Sequence, residues 1–292
     1  MRLHHLNCIS SCPLGGWLMD QRTRSPLTRA RLSCHTVLVE TGTELVLVDT
    51  GFGLRDVAEP EKRLSRFFLT LLEPELREEL TAIRQVERLG FDPEDVRHIV
   101  LTHLDFDHAG GLDDFPWANV HLLAKEREHA VAQRTWLDRQ RFRPQQWATQ
   151  DHWQVYSLAD GERWFGFDKV QSLEELPPEI LLVPLLGHTL GHAGIAIRAD
   201  EDWLLQAGDA YFFHAEMDTS HPRCTPGLAL YQTMMEKDRA ARLENQAKLR
   251  QLVKAHAGEV QVCCSHDPTE FERLAGRPLG SLPARVREAA LV

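Results

Sequence analysis

The run Thr102-His103-Leu104-Asp105-Phe106-Asp107-His108-Ala109-Gly110-Gly111 holds four metal-capable side chains within six residues. It follows directly on the apolar, strand-like stretch His98-Ile99-Val100-Leu101. A strand that ends in such a cluster, then turns through two glycines, sets imidazoles and carboxylates together at a sheet edge. Borderline and hard divalent metals take these nitrogen and oxygen ligands. Two carboxylates and two imidazoles exceed what one tetrahedral ion needs from a single turn. A two-metal centre is therefore expected.

Three later segments repeat the pattern of an apolar run, a small residue and a ligand. Gly187-His188-Thr189-Leu190-Gly191-His192 follows the run from Ile180 to Leu186. Gly208-Asp209-Ala210 follows Trp203-Leu204-Leu205-Gln206-Ala207, and Ser265-His266-Asp267 follows Val260-Gln261-Val262-Cys263-Cys264. A catalytic dimetal site draws ligands from several elements and leaves positions open for water and substrate.

In these motifs the chain resembles the metallo-β-lactamase fold superfamily, whose pattern is H-x-H-x-D-H, then G-H-T, G-D and a late G-H or S-H. The matches are His103, Asp107, His108, His188, Asp209 and His266. Asp105 stands where the family has a second histidine. Asp49-Thr50-Gly51-Phe52-Gly53 and the segment Val86-Glu87-Arg88-Leu89-Gly90-Phe91-Asp92-Pro93-Glu94-Asp95-Val96 resemble the branch of N-acyl-homoserine lactone lactonases. The resemblance spans roughly residues 32 to 270. It implies an α/β four-layer αββα sandwich of two mixed β-sheets flanked by helices. It also implies opening of a lactone or similar ester, as in quorum quenching, by a hydroxide held between two metals. Carried over by motif, one metal falls to His103, Asp105 and His188. The other falls to Asp107, His108 and His266, with Asp209 bridging. Zinc is the first expectation. The carboxylate of Asp105 shifts preference toward harder ions such as iron or manganese. Asp107 is the expected proton shuttle, and Tyr211, two residues after Asp209, the expected donor to the oxyanion. His192 is expected to support the site rather than bind metal. Asp49 is expected to brace the ligands from behind.

The elements that must position these groups follow from periodicity. Cys34–Glu40 and Glu44–Asp49 read as a hairpin through Thr41-Gly42-Thr43. Glu73 to Leu89 reads as a helix stopped by Gly90, and Lys125 to Arg143 as a helix broken by Pro144. Arg134, Arg139, Arg141 and Arg143 on that second helix are expected to form a solvated basic face or a substrate gate. Leu228 to Ala257 reads as one long outer helix stopped by Gly258. Leu64 to Leu72, dense in apolar residues, is expected to pack on the core, to cover the substrate, or to make a homodimer contact. One domain over residues 1–292 is expected, with a helical insertion near 53–92.

The length of 292 residues and 43% hydrophobic content permit a full core. A net charge of −10 argues against nucleic acid as partner, and the resemblance implies a small-molecule substrate. The longest apolar runs are too short for a bilayer, so no membrane partner is expected. The first residues lack an apolar stretch with a small-residue cleavage site, and a cytoplasmic enzyme is expected. The six cysteines have no C-x-x-C spacing and read as free thiols, with Cys264 close enough in sequence to line the site. Three functional readings stay open. They are a lactone or ester hydrolase (or another hydrolase branch acting on thioesters, phosphotriesters or β-lactams), an iron-containing redox protein, and a non-catalytic relative whose altered ligand has cost it a metal.

Overall fold

Alternation along two short strands sets up the layers. In His35–Glu40 and Leu45–Val48, Val37, Val39, Val46 and Val48 point to one face, and Leu38, Leu45 and Leu47 to the other. Both faces are buried, which is the pattern of a sheet covered on both sides. A computed structural model describes residues 1–286. Residues 287–292, the end of the expected 1–292 span, lie outside the described residues.

The first sheet runs β1 (Arg2–Asn7), β2 (His35–Glu40), β3 (Leu45–Val48), β4 (Val96–Val100), β5 (Asn119–Leu123) and β6 (Trp153–Tyr156), in that spatial order. The β1–β2 and β2–β3 pairs are antiparallel, and the three that follow are parallel. The second sheet contains β7 (Glu162–Trp164), β8 (Phe167–Ser172), β9 (Ile180–Pro184), β10 (Ala193–Ala199), β11 (Asp202–Gln206) and β12 (Val260–Cys263). Its order is β12-β11-β10-β9-β8-β7, antiparallel except for β11 with β12. Val37, Val46 and Val100 of the first sheet meet Ile180, Ile195 and Leu204 of the second in the central core. Ala82, Val86, Leu89 and Ala130 cover the outer face of the first sheet. Leu249 and Leu252 cover the outer face of the second. This is the expected four-layer sandwich of two mixed sheets between helices. Among the described residues no helix is long and apolar enough to cross a membrane.

Three helices are shorter than periodicity predicts, each because a local cap outweighs the apolar pattern. The expected helix from Glu73 is α-helical only over Ala82–Leu89, since Glu73 itself is the left-handed cap of the preceding helix, Arg66–Leu72. The stretch from Lys125 divides into Ala124–Ala132 and Trp136–Arg141. Gln133 turns left-handed, and Thr135 and Asp138 form a capping box that restarts the chain. The long outer helix is two, Pro226–Met235 and Arg239–Ala255. Glu236 is extended, and the Asp238 side chain accepts from Ala241 N at 3.0 Å. The β1 edge strand was not anticipated from the sequence.

The break at 236–238 leaves the Met235 carbonyl without a helical partner and free for another donor. Replacing the cap, Asp238→Ala, is expected to lower stability by ~1 kcal/mol in urea denaturation. An unchanged midpoint would show that tertiary contacts alone place the second helix.

Candidate metal centre

Four strand ends deliver the predicted ligands to one edge of the sandwich. β4 leads into His103, Asp105, Asp107 and His108, β9 into His188, β11 into Asp209, and β12 into His266. All seven are buried, at 5% exposure or less. Three groupings bring ligand atoms within metal-binding reach: His103 with Asp105 and His188, His103 with His108 and Asp209, and Asp107 with His108 and His266.

Glycine lets the Asp209 loop approach. Gly208 has φ +55°, and a Cβ there would lie 2.6 Å from His192 Nε2 and 2.9 Å from Thr102 Cβ. His192 donates through Nδ1 to the Leu185 carbonyl at 2.9 Å and accepts from Asp209 N at 2.9 Å through Nε2. Burial lowers its pKa to about 3, which keeps it neutral for that acceptor role. It positions Asp209 and offers no lone pair to a metal. Glu126 ties two ligand loops together by accepting from Leu104 N, Thr189 Oγ1 and Gly191 N at 3.0, 2.5 and 3.1 Å.

The histidine tautomers are set from behind. Asp49, at the end of β3, accepts from Thr102 N, Thr102 Oγ1 and His108 Nδ1, each at 2.8 Å. The same Thr102 hydroxyl accepts from His103 Nδ1 at 2.9 Å. His266 Nδ1 donates to the Ser33 carbonyl at 2.7 Å. In each ring Nδ1 is therefore the outward donor and Nε2 the nitrogen turned inward, the arrangement of metal-binding imidazoles. His103 Nε2, His108 Nε2 and Asp209 Oδ1 are buried without any hydrogen-bond partner. Buried polar atoms left so are rare, and a metal ion would satisfy all three. His266 Nε2 and His108 Nε2 lie 3.2 and 3.4 Å from Asp209 Oδ1. Burial opposes charge on Asp209, but His266 and His108 outweigh it and hold the carboxyl well below its ordinary range. Asp107 behaves oppositely, with burial raising its pKa despite His108 and His266 beside it. The set Asp107, His108, Asp209 and His266, with His103 alongside, fits a divalent metal.

The profile of the metallo-beta-lactamase superfamily matches residues 29–251. The chain belongs to that superfamily. A probable metallo-hydrolase of Mycobacterium tuberculosis is 36% identical over 272 residues, 93% of this chain and 82% of the relative. An N-acyl homoserine lactonase of Bacillus cereus is 25% identical over 197 residues, 66% of this chain and 71% of that protein. A solved N-acyl homoserine lactone hydrolase, with N-hexanoyl-L-homoserine at its catalytic metal centre, superposes at TM-score 0.68 and 20% identity, covering 93% of this chain and 95% of that one. A dizinc quorum-quenching lactonase superposes at TM-score 0.57 and 16% identity, over 91% and 87% of the two chains. As a superfamily member the chain is a metallo-hydrolase.

Two sequence expectations meet a different arrangement in this metallo-β-lactamase fold. Tyr211 does not face the ligands. Its hydroxyl donates to Glu270 at 2.9 and 3.0 Å, and its ring packs with Ala210, Val262 and Cys264 outside the second sheet. Cys264 belongs to the same outer cluster and does not line the site. The phenol beside the site is Tyr231, which shares a narrow cleft with Asp107, His266, Phe212, Leu72, Leu32, Met19 and Ser11. It lies 123–128 residues from the His103–His108 motif, with no spacing to announce it. The helix Arg66–Leu72 packs through Phe68 against Phe52 and Phe106, and contributes Leu72 to the cleft.

The second difference is at Asp105. Arg141, expected on a solvated face or gate, is fully buried and donates Nε to Asp105 Oδ1 at 2.6 Å and Nη2 to Asp105 Oδ2 at 2.5 Å. Burial alone would raise the Asp105 pKa, but the guanidinium holds it well below the usual carboxylate range. Both oxygens expected to hold metal are thus engaged by a cation of the protein. The grouping of His103, Asp105 and His188 does not fit a metal in the way that the Asp107 set does.

Removing the brace tests the tautomer argument. Asp49→Ala is expected to weaken metal affinity by about 10–100-fold, measured by competition with a chromophoric chelator. Unchanged affinity would mean that Asp49 serves the fold alone.

Proposed function

We propose that this chain is a zinc-dependent hydrolase that opens a lactone or cleaves a similar ester. The observation that carries the reading is the group of unpartnered ligand atoms, His103 Nε2, His108 Nε2 and Asp209 Oδ1, beside Asp107, which lines a cleft with Met19, Leu32, Leu72 and Phe212. Similarity to the lactonases supports the substrate class. A metal held there would supply Lewis acidity toward water and a carbonyl oxygen near neutral pH. Imidazole nitrogens with carboxylate oxygens suit zinc. The carboxylate that argued for iron or manganese, Asp105, is taken by Arg141.

The protein's own groups do the rest. Leu32, Leu72, Met19 and Phe212 line the cleft with apolar surface suited to an acyl or alkyl portion. Phe212 stacks on His266 with ring centroids 5.2 Å apart, which holds that imidazole in place. The Asp107 carboxylate accepts no hydrogen bond from the described residues, its nearest imidazole nitrogens being 3.7 and 4.0 Å away. With its pKa raised by burial, it is suited to hold a proton and deliver it to a leaving alkoxide. The Tyr231 phenol lines the same cleft, and in this reading it donates to the oxygen that gains charge. Burial and the nearby aspartates raise its pKa well above the ordinary phenol value, so it stays a donor.

The reading is tested with a panel of lactones, aryl esters, phosphotriesters and β-lactams on zinc-loaded protein. Lactone or ester turnover, lost with chelator and restored by zinc, is expected. Turnover of one of the other classes alone would overturn it. At matched metal content Asp107→Asn is expected to slow an alkyl lactone by about 10²–10⁴-fold and a nitrophenyl ester less, because a good leaving group needs little protonation. Equal losses would leave Asp107 as a ligand only. Tyr231→Phe is expected to lower kcat by about 10²-fold. Tyr211→Phe should leave kcat near wild type while lowering stability by ~1–3 kcal/mol, since the buried Glu270 carboxylate loses its hydroxyl donor and keeps the Cys264 N–H. The reverse pattern would restore Tyr211 to the site.

A further inference from the structure

We infer that the Arg141 guanidinium replaces one of the two metal ions of this fold, so that the centre binds a single divalent ion and uses arginine as its second cation. The inference rests on the metallo-hydrolase reading above and concerns how many ions that site takes.

The donor atoms carried over to one of the metals are already spent. Arg141 Nε and Nη2 cover both oxygens of Asp105 at 2.6 and 2.5 Å. Arg141 Nη2 also lies 2.7 Å from His188 Nε2, which is 3.0 Å from Asp105 Oδ2. If that nitrogen is unprotonated, it accepts from the guanidinium. If it is protonated, it donates to Asp105. Neither tautomer leaves a lone pair on Nε2, the nitrogen turned toward Asp105. His103 Nε2, 3.3 Å from Asp105 Oδ2 and without a hydrogen bond, remains free for the ion beside Asp209.

The guanidinium has no route to withdraw. Its side chain is fully buried, and its backbone carbonyl accepts from Phe106 N at 3.1 Å. Arg141 Nη1 donates to the Met235 carbonyl at 2.7 Å, the group freed by the helix break at Glu236, and approaches the His188 carbonyl at 3.5 Å. With His188 Nε2 as an acceptor, all five N–H groups are directed at protein acceptors. Arg141 acts through its fixed charge and its hold on the ligand loops, not as a donor to substrate. It also carries that charge at every working pH. Charge pairing agrees: the guanidinium already matches Asp105 on both oxygens, which leaves Asp107 and Asp209 for a single ion. A second divalent ion beside a guanidinium that cannot deprotonate would leave excess positive charge in a buried site.

The test is metal content by elemental analysis after zinc loading and gel filtration, with electron paramagnetic resonance of the cobalt-loaded protein. Wild type and Arg141→Lys are expected to hold one ion per chain with an isolated cobalt signal. Arg141→Ala, which frees Asp105 and His188, is expected to take two ions with spin-coupled cobalt. Should Arg141→Ala not fold, Asp105→His with Arg141→Leu removes the ion pair together and should also take two. Two ions in wild type, or one in every folded variant lacking Arg141, overturns the inference. No bound metal together with no turnover overturns the metallo-hydrolase reading itself. One ion with no lactone or ester turnover overturns only the proposed substrate.

Discussion

Carboxylates gathered out of water repel one another, and this site gathers Asp49, Asp105, Asp107 and Asp209, all buried. Positive charge must reach each of them or the group would take up protons instead. The surrounding structure answers residue by residue. Asp49 meets His108 Nδ1 and the Thr102 donors. Asp105 meets Arg141 on both oxygens. Asp209 lies among His103, His108, His188 and His266. Asp107 has the least support, faces the cleft and is the one whose pKa rises. The unevenness separates the carboxylates by environment, with three facing positive partners or donors and one, Asp107, held less firmly as an anion.

Holding that charge in place requires loops from both sheets to be rigid with respect to one another. Glu126, at the start of a helix packed on the first sheet, reaches the loops that carry His103 and His188. Burial raises its pKa to about 7, and three donors compensate for the loss of solvent. His35, on β2, is joined to the second sheet through its backbone: its N–H donates to the Ser265 carbonyl and its carbonyl accepts from Gln206 Nε2. These links set the distance between Asp209, His266 and the β4 loop far more tightly than apolar packing between the sheets would.

The chemistry that follows depends on which lone pairs remain. Three imidazoles are held through Nδ1 so that Nε2 faces inward, and each partner that fixes a tautomer is a main-chain carbonyl, a threonine hydroxyl or Asp49. The cleft above is mostly apolar, with one phenol and one carboxylate. On the proposed reading, an ester or lactone carbonyl in such a place would meet a Lewis acid on one side and a proton donor on the other, with Leu32, Leu72 and Met19 lining the cleft. This arrangement distinguishes the residues that act on substrate from those, such as His192 and Arg141, that act through their neighbours.

The order of ligands along the chain, their place after apolar runs, and the two-sheet sandwich were legible in the sequence. Each ligand needs only local information: an apolar strand, a small residue that permits the turn, and a side chain of the right type. Helix ends were legible less well, because Glu73, Gln133 and Asp238 interrupt apolar periodicity with caps whose effect depends on packing. The choice between Tyr211 and Tyr231 could not be read at all. One adjoins a ligand in sequence but turns to Glu270, and the other comes from a helix folded over the cleft. Asp105 shows the boundary most plainly. By itself the sequence determined that a carboxylate stands where the fold has an imidazole, and hence that a cation must sit beside it. Only the tertiary structure decided that this cation is Arg141, because a buried guanidinium is placed by contacts from Asp105, His188 and Met235, which lie 36 to 94 residues away along the chain.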